Sequence, residues 1–154
     1  MTGSVTGIPA DSTARAALAA DLAATHALVF PPPQVWASRE FDGLLDSRGI
    51  LLTGDAESYV LGRVMFDEAE ILTLATHPDR QRQGLARKAL AAFEHQAARM
   101  GAKTVFLEVS VRNLAASRLY SVAGYIQVGC RKGYYVEADG TRSDALVLSK
   151  AVGG

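Results

Sequence analysis

The stretch from residue 69 to residue 86, AEILTLATHPDRQRQGLA, joins an apolar run to a basic loop that contains one glycine. The first eight residues are rich in apolar side chains and Pro78 follows them, which is typical of a buried strand. Beyond Gly84 apolar residues recur at steps of three and four, as in a helix: Leu85, Ala89, Phe93, Ala97 and Met100. Gly101 then supplies a C-terminal cap. The stretch predicts a strand, a loop and a helix in direct succession.

The start of this predicted helix is suited to an anion. Its first backbone N–H groups have no partner within the helix, and the positive end of the helix dipole points the same way. Gly84 lets a phosphate approach the backbone without a Cβ, and small Ala86 does nearly as well. The alternative is a solvated helix start with ordinary surface charge, since four cations surround it: Arg80, Arg82, Arg87 and Lys88. The spacing alone leaves both interpretations open.

Two well-known phosphate loops do not fit this segment. A Walker loop requires G-K-[ST] before the helix, and no such tripeptide follows Gly84. A dinucleotide fingerprint requires G-x-G-x-x-G, whereas this loop has a single glycine. The pattern therefore argues against ATP or NAD as the ligand.

The segment Gln81-Arg82-Gln83-Gly84-Leu85-Ala86 resembles the Q/R-x-x-G-x-G/A acetyl-CoA signature of the GNAT superfamily of N-acetyltransferases, in which loop amides hold the coenzyme pyrophosphate. Later motifs resemble, in order, the ribosomal-protein-alanine N-acetyltransferase (RimI) branch: Leu107-Glu108-Val109, Asn113, Leu119-Tyr120, Gly124-Tyr125, Gly133-Tyr134-Tyr135, Asp139-Gly140 and Asp144-Ala145. The resemblance covers roughly residues 60 to 150. Arg112, Ser110 and Ala86 depart from that branch, and the departures bear on acceptor preference more than on coenzyme binding.

The resemblance implies an α/β (α+β) fold of the GNAT type, with a mixed, mostly antiparallel central sheet and helices on both faces. The 154 residues suit a single N-acetyltransferase domain over residues 1–154. Residues 1–10 are small and turn-prone, so we expect poor order there, with room for one short strand around Val5 to Ile8.

The remaining helices and strands are predicted from the apolar periodicity and from the prolines, glycines and capping residues that bound each segment. We expect helices from Asp11 or Ser12 to about Leu28, from Gln34 to Leu45 after the triple proline, and from an Asn113 cap to Gly124. Strands are expected at 50–53, 59–66, 104–110, 125–131 and 145–148. The first two form an antiparallel meander with the strand before Pro78. Strand 104–110 follows a helical crossover, so we expect it to run parallel to that strand.

Glu108 is the leading candidate for a catalytic base. It lies in an apolar strand, where a carboxylate without a partner is costly to bury. From the residues alone, either an ion pair with an arginine such as Arg112 or Arg118, or a catalytic role, explains it equally well. The resemblance implies that Glu108 takes the proton of the acceptor amine, directly or through a water. Glu70 is a second candidate base, and it is otherwise merely exposed.

Tyr120 and Asn113 each have a structural and a functional interpretation. A helical tyrosine is often a core aromatic, but the resemblance implies that Tyr120 protonates the coenzyme thiolate. Asn113 is a good helix N-cap, and the resemblance implies that it also contacts the pantetheine arm. Cys130 as a nucleophile would require an acyl-enzyme, yet no histidine lies at a recognisable partner position.

The resemblance implies a coenzyme site where the two parallel strands splay apart. A main-chain N–H near Leu74 to Thr76 would polarise the thioester carbonyl if the strand bulges there. The coenzyme-binding residues are then Leu74, Ala75, Thr76, Gln81, Arg82, Gln83, Gly84, Leu85, Ala86, Arg87, Asn113 and Tyr120. Trp36, Tyr134 and Tyr135 are the implied acceptor-binding residues. Otherwise Trp36 belongs to the core and the two tyrosines lie on opposite faces of a strand.

The function that this resemblance implies is direct transfer of an acetyl group from acetyl-CoA to the N-terminal α-amine of a protein. The leading acceptor is the N-terminal alanine of a ribosomal protein. The alternatives are a lysine side chain, a polyamine or another small amine as acceptor, or a module that binds acetyl-CoA without catalysis.

Composition narrows the setting and the partners. Sixteen basic residues balance 16 acidic ones, which argues against nucleic acid or an acidic membrane as partner. The three histidines are scattered, so no metal site is expected. The single Cys130 and the absence of a visible leader segment favour a reducing, cytoplasmic setting. A monomer and a homodimer both fit.

Overall fold

The computed structural model describes residues 4, 5 and 7–153. Their strands are β1 (Ser4–Val5), β2 (Ile50–Asp55), β3 (Ser58–Met65), β4 (Glu68–Thr76), β5 (Thr104–Ser110), β6 (Ile126–Val136) and β7 (Arg142–Ala151). Their α-helices are α1 (Ser12–Val29), α2 (Ser38–Leu45), α3 (Leu85–Arg99) and α4 (Leu114–Val122). A short N-terminal strand is present as β1, but it overlaps the predicted range around Val5 to Ile8 only at Val5. Residues 1–3, 6 and 154 lie outside the described residues.

The strands form one mixed sheet in the order β1-β2-β3-β4-β5-β7-β6. Every neighbouring pair is antiparallel except β4 and β5, which are parallel. The parallel pair arises because α3 carries the chain back across the sheet between these two strands. This topology confirms the predicted mixed, mostly antiparallel sheet and the predicted meander.

Helices cover both faces of the sheet, as predicted. On one face Leu90 and Phe93 of α3 pack with Val105 and Leu107 of β5 in a core that also includes Tyr120 of α4. On the other face α1 and α2 contribute a second core, whose largest members are Leu22, Phe41 and Tyr59. The apolar stripe predicted for α3 is buried at Ala89, Phe93 and Ala97, whereas Met100 is exposed because the helix has ended.

The second helix begins four residues later than predicted. Pro32–Gln34 form a 3-10 turn, and Ala37 is the extended residue that precedes α2. The Glu40 carboxylate accepts a hydrogen bond from the Ala37 N–H at 2.8 Å, which fixes the start of the helix. Trp36 therefore lies in the linker before α2, and its predicted place on the helix is wrong.

The last two strands are longer than predicted and form a hairpin. Asp139 and Gly140 lie in the connecting turn, as expected, with Gly140 at φ 83°. The Asp139 carboxylate accepts a hydrogen bond from the Thr141 N–H at 2.9 Å. The sequence pattern did not predict the extra length, because a bulge interrupts the alternation of apolar and polar residues in β6.

A cleft opens between the parallel strands. β4 and β5 pair only from Glu68 opposite Thr104 to Ile71 opposite Leu107, although both strands continue. Leu72 is an extra residue relative to β3, because Leu61 pairs with Thr73 and Gly62 with Ile71. Such a bulge bends the strand. The splay is confirmed, but the bulge lies at Leu72 and not at the predicted residues 74–76.

Candidate active site

Two cavities occupy the cleft and meet at four shared wall residues: Phe30, Leu74, Asn113 and Ala116. The coenzyme-side cavity, which lies at the start of α3, has a volume of about 510 Å³. Its walls include most of the predicted coenzyme-binding residues: Leu74, Ala75, Thr76, Gln81, Arg82, Gly84, Leu85, Ala86, Arg87 and Asn113. Gln83 does not line it, and Tyr120 lines the other cavity.

The loop before α3 presents backbone donors to the coenzyme-side cavity. Gly84 is the N-cap residue at φ 75° and ψ 9°, a left-handed conformation that glycine adopts without strain. No side chain caps the helix, so its first N–H groups keep no protein acceptor within the helix. A Cβ on Gly84 would meet nothing within 4 Å, which shows that the space before the helix is open.

The cations around this loop are not equivalent. The Arg80 guanidinium lies 3.0 Å from the Asp55 carboxylate and 3.4 Å from that of Glu57. Arg82 and Arg87 form no ion pair with any described residue, and both line the cavity. The Gln81 side-chain amide donates to the Thr76 carbonyl at 3.2 Å and ties the loop to the end of β4. The loop thus combines open N–H groups with two uncommitted positive charges.

The second cavity, called here the acceptor-side cavity, has a volume of about 300 Å³. It brings together Glu108, Tyr120, Trp36, Tyr134 and Tyr135, which are the predicted catalytic and acceptor-binding residues. These residues come from two strands, one helix and one linker, so tertiary packing alone makes them neighbours.

The Glu108 carboxylate pairs with the Arg131 guanidinium. The arginine comes from β6, two strands away, so the predicted partners Arg112 and Arg118 are wrong. The strand register explains why the Arg131 side chain can contact Glu108. Glu108 of β5 lies opposite Val147 of β7, and Val147 lies opposite Gly129 of β6, two residues before Arg131. The Arg131 side chain is 60% exposed and that of Glu108 is 18% exposed. The cation is thus the more solvated partner of the pair. The Glu108 carboxylate is mostly shielded from solvent and lines the acceptor-side cavity.

Glu70 lines the same cavity and is not merely exposed. Burial raises the pKa of its carboxyl, and the nearby Glu108 carboxylate raises it further, while Arg63 and Arg131 oppose the shift. Two carboxyl groups that share one site resist carrying both negative charges at once. The cavity therefore holds two candidate bases in electrostatic contact.

Tyr120 lines the acceptor-side cavity and is almost fully buried. Its ring packs edge-on against Tyr125, with 5.4 Å between the ring centroids. Burial raises the pKa of its hydroxyl, and Tyr135 adds to the shift. The hydroxyl stays protonated throughout the neutral range, which suits a proton donor and not a base.

A bulge in β6 places both tyrosines of the Tyr134-Tyr135 pair at the cavity. Arg131 pairs with Ala145 and Tyr135 with Ser143, so three residues of β6 oppose Asp144 alone. The Asp144 carboxylate accepts from the Gly133 N–H at 2.9 Å, and Gly133 has φ 59°. The alternative that the two rings point to opposite faces is wrong, because both line one cavity.

His26 is a cavity residue that the sequence patterns did not reveal. Its Nδ1 accepts from the Trp36 N–H at 3.2 Å, so the neutral ring carries its proton on Nε2, 3.1 Å from the Thr73 hydroxyl. The ring stacks on Phe30 at 4.1 Å and is 1% exposed. Burial lowers the pKa of His26 to about 4. The sequence signal that could have revealed it is the group of aromatic residues that follows it, Phe30, Trp36 and Phe41, at positions four, ten and fifteen later.

Other chemistry has little support in the described part of the chain. Cys130 is exposed and lines neither cavity. Residues 4, 5 and 7–153 include no group of three or more metal-ligating side chains placed around one point. Within the same residues, none of the helices has the length and apolar character needed to span a membrane.

The fold and the paired cavities define a class of protein. The model of the acetyltransferase (GNAT) family matches residues 18–125, and the chain belongs to this family. That result confirms the predicted superfamily.

Individual relatives narrow the similarity to one branch. The chain is 36% identical to the [ribosomal protein bS18]-alanine N-acetyltransferase of Haemophilus ducreyi over 92 residues, which are 60% of this chain and 63% of that relative. The match thus spans less than two thirds of that relative's length. The Salmonella typhimurium enzyme of the same name is 32% identical over 118 residues, covering 74% of this chain and 79% of the relative.

A solved structure supports the same branch. The crystal structure of the ribosomal-protein-S18-alanine N-acetyltransferase from Escherichia coli is similar with a TM-score of 0.80 at 25% identity. The similarity covers 100% of this chain and 94% of that one. Arabidopsis thaliana NAA60 in complex with acetyl-CoA has the same fold at 16% identity, with a TM-score of 0.77 over 90% of this chain and 95% of its own.

Proposed function

We propose that the protein transfers the acetyl group of acetyl-CoA directly to the N-terminal α-amine of a protein. The leading acceptor is the N-terminal alanine of ribosomal protein bS18, the acceptor in the names of the relatives. The observation that carries the proposal is the meeting of the two cavities at Leu74 and Asn113. One cavity suits an anionic coenzyme and the other holds an acid and a base, so the two substrates can react without an acyl-enzyme.

The coenzyme-side cavity suits the negative charge of acetyl-CoA. The open N–H groups at the start of α3, together with Arg82 and Arg87, would hold the pyrophosphate. The pantetheine arm would lie where β4 and β5 have no strand pairing, beside Asn113. The Asn113 side chain already caps α4 by accepting from the Ala116 N–H at 3.2 Å, and its amide N–H₂ remains free to donate.

Glu108 would act as the base for the acceptor amine. It takes one proton from the ammonium group, directly or through a water, and the neutral nitrogen attacks the thioester carbon. An α-amino group has a pKa of roughly 8, against about 10.4 for a lysine ammonium, so a modest base suffices. The bulge at Leu72 leaves one residue of β4 outside the ladder with β3, and a main-chain N–H freed there would stabilise the oxyanion.

Tyr120 would complete the reaction as the acid. As the C–S bond breaks, the coenzyme leaves as a thiolate and takes the proton of the Tyr120 hydroxyl. Burial keeps that proton in place until the thiolate forms, because the raised pKa excludes ionisation at neutral pH. The attacking nitrogen loses its second proton to the phenolate, directly or through a water, which restores Tyr120, and Glu108 releases the first proton to solvent.

Acetylation assays on short peptides test the proposal. Free thiol released from acetyl-CoA is measured with peptides that begin with Ala, Ser or Met, beside N-terminally blocked peptides that contain lysine. We expect release only with free α-amines and most strongly with Ala. Release with blocked lysine peptides would instead establish a side-chain acceptor. Tight coenzyme binding without turnover on any amine would establish a binding module.

A further inference from the structure

A third recess, called here the side recess, adjoins the acceptor-side cavity. Its volume is about 230 Å³, and it lies between the end of α1 and the ends of β5 and β6. Four residues belong to the walls of both: Phe30, Gln34, Ser110 and Asn113. A molecule bound in the acceptor-side cavity can therefore extend into the side recess.

Glu137 is the charged residue that the recess buries. Its side chain is only 8% exposed, yet it lines the recess. Carboxylate atom Oε2 accepts hydrogen bonds from the hydroxyls of Ser143 and Ser110, the latter at 3.2 Å. Oε1 accepts none from the described residues, and it is not among their fully enclosed polar atoms. Carboxylate atom Oε1 is thus able to accept a hydrogen bond from a ligand.

No described cation forms an ion pair with Glu137. None of the ion pairs in residues 4, 5 and 7–153 includes it. Arg112 also lines the recess, but its guanidinium forms no ion pair within these residues. Two serine hydroxyls are neutral donors, so they satisfy hydrogen bonds without cancelling the charge. Burying a carboxylate without a counter-charge is costly. A ligand that brings a positive charge would remove that cost.

We propose that the side recess binds the arginine or lysine side chain of the second or third residue of the acceptor, with Glu137 as its partner. This assignment rests on the proposed function. Ser110, which bonds to Glu137, lies two residues beyond Glu108 on β5, a separation of roughly 7 Å. An extended peptide advances about 3.3 Å per residue, so its second or third residue reaches the recess when its amine lies at Glu108.

Apart from Arg112, the remaining walls suit a long basic side chain. Val29, Phe30 and Pro31 provide an apolar surface for the methylene stem of lysine or arginine, while the charged end reaches the carboxylate. The Gln34 amide donates to the Val136 carbonyl at 2.9 Å and holds the linker before α2 against β6. The recess is therefore preformed, because the linker and β6 are already held together beside it.

Peptide kinetics provide the first test. Three peptides begin with Ala and differ only at residues two and three, which are basic, glutamine or glutamate. We expect kcat/KM for the basic peptide to exceed that for the glutamine peptide about tenfold, since a hydrogen bond to a buried charge is worth at least that factor. Glu137→Gln keeps the acceptor oxygen for serine but removes the charge. It should abolish the preference and leave the glutamine peptide unchanged.

A matched control separates a local from a general charge effect. Glu68→Gln removes the same charge at the exposed start of β4, away from the three cavities, and should preserve the tenfold preference. Equal thermal midpoints for the two variants would show that Glu137→Gln is folded. A preference for basic peptides that survives Glu137→Gln, or is absent from the wild-type protein, overturns the assignment.

Binding without turnover keeps this assignment distinct from the proposed function. Trp36, the single tryptophan, lines the acceptor-side cavity, so its fluorescence reports peptide binding in the presence of CoA. If no Ala peptide is acetylated but the basic peptide binds about tenfold more tightly to wild type than to Glu137→Gln, the proposed function fails and the recess assignment stands. Equal binding of basic and glutamine peptides overturns the recess assignment, whatever the turnover.

Discussion

The two halves of the cleft are built in different ways. The coenzyme-side cavity takes most of its walls from one continuous segment, residues 74–87, and its donors depend on local backbone geometry. The acceptor-side cavity draws on the end of α1, the linker before α2, the middle of β4, the end of β5, α4 and the bulge of β6. A short sequence motif is therefore enough to preserve the coenzyme-side cavity. The acceptor-side cavity depends on residues from many elements, so substitutions there can change the acceptor preference without changing coenzyme binding.

Glu108→Gln gives the largest expected effect, because Glu108 is the proposed base of the acceptor-side cavity. The amide cannot take the amine proton, so kcat should fall about 10³-fold, within the range of general base catalysis. The Kd of acetyl-CoA should stay within about twofold of wild type, since Glu108 does not line the coenzyme-side cavity. Steady-state rates and equilibrium binding of the coenzyme measure the two effects separately.

Glu70→Gln is the matched comparison for that prediction. Both carboxylates line the acceptor-side cavity, but we assign the proton transfer to Glu108. A tenfold or smaller effect of Glu70→Gln supports the assignment. If Glu70→Gln removes activity and Glu108→Gln does not, the base is Glu70 and the role of Glu108 is to raise its pKa.

Tyr120→Phe should have the next largest effect. The ring keeps its edge-on contact with Tyr125 while the hydroxyl is lost, so kcat should fall about 10²-fold without a change in thermal midpoint. Tyr125→Phe is the control, because that residue lines neither cavity of the cleft. Equal losses of activity in the two variants would indicate a packing effect and would contradict the acid role of Tyr120.

The contrast between the halves also explains what the sequence could predict. The strand before Pro78, the helix after Gly84 and the Asn113 cap depend on neighbours in the chain, and all three were predicted correctly. The Glu108 partner, the residue at which β4 bulges and the role of His26 depend on residues distant in sequence. The His26 contact to Thr73 joins residues 47 positions apart, for example. No local pattern encodes such a pair.

His26 provides a test of the acceptor half that should leave the coenzyme half unchanged. The unfolded chain binds a proton near the ordinary histidine pKa of about 6.5, whereas the native ring binds one only near pH 4. Between these values the unfolded state holds more protons, so the free energy of unfolding falls as the pH drops from 7 to 5, by about 2 kcal/mol. Above pH 7 this contribution is complete and constant.

Urea denaturation at pH 7 and at pH 5, with wild type and His26→Gln, measures the contribution. The carboxyl groups affect both proteins alike, so the variant should lose about 2 kcal/mol less than wild type over this range, a factor of about 30 in the folding equilibrium. Its affinity for CoA at pH 7 should match that of wild type. Parallel losses in the two proteins would show that His26 is not held neutral by burial.

Gly84→Ala gives the smallest expected effect and isolates the coenzyme half. The new methyl group meets no protein atom within 4 Å, but it occupies the space through which a phosphate approaches the start of α3. The Kd of CoA, measured by calorimetry, should rise about fivefold, which corresponds to roughly 1 kcal/mol. Gly140→Ala is a close control, because Gly140 also has a positive φ, 83°, and an open environment in the β6–β7 turn. Both substitutions place a Cβ at a positive φ, so only a rise confined to Gly84→Ala shows that the loop amides hold the coenzyme.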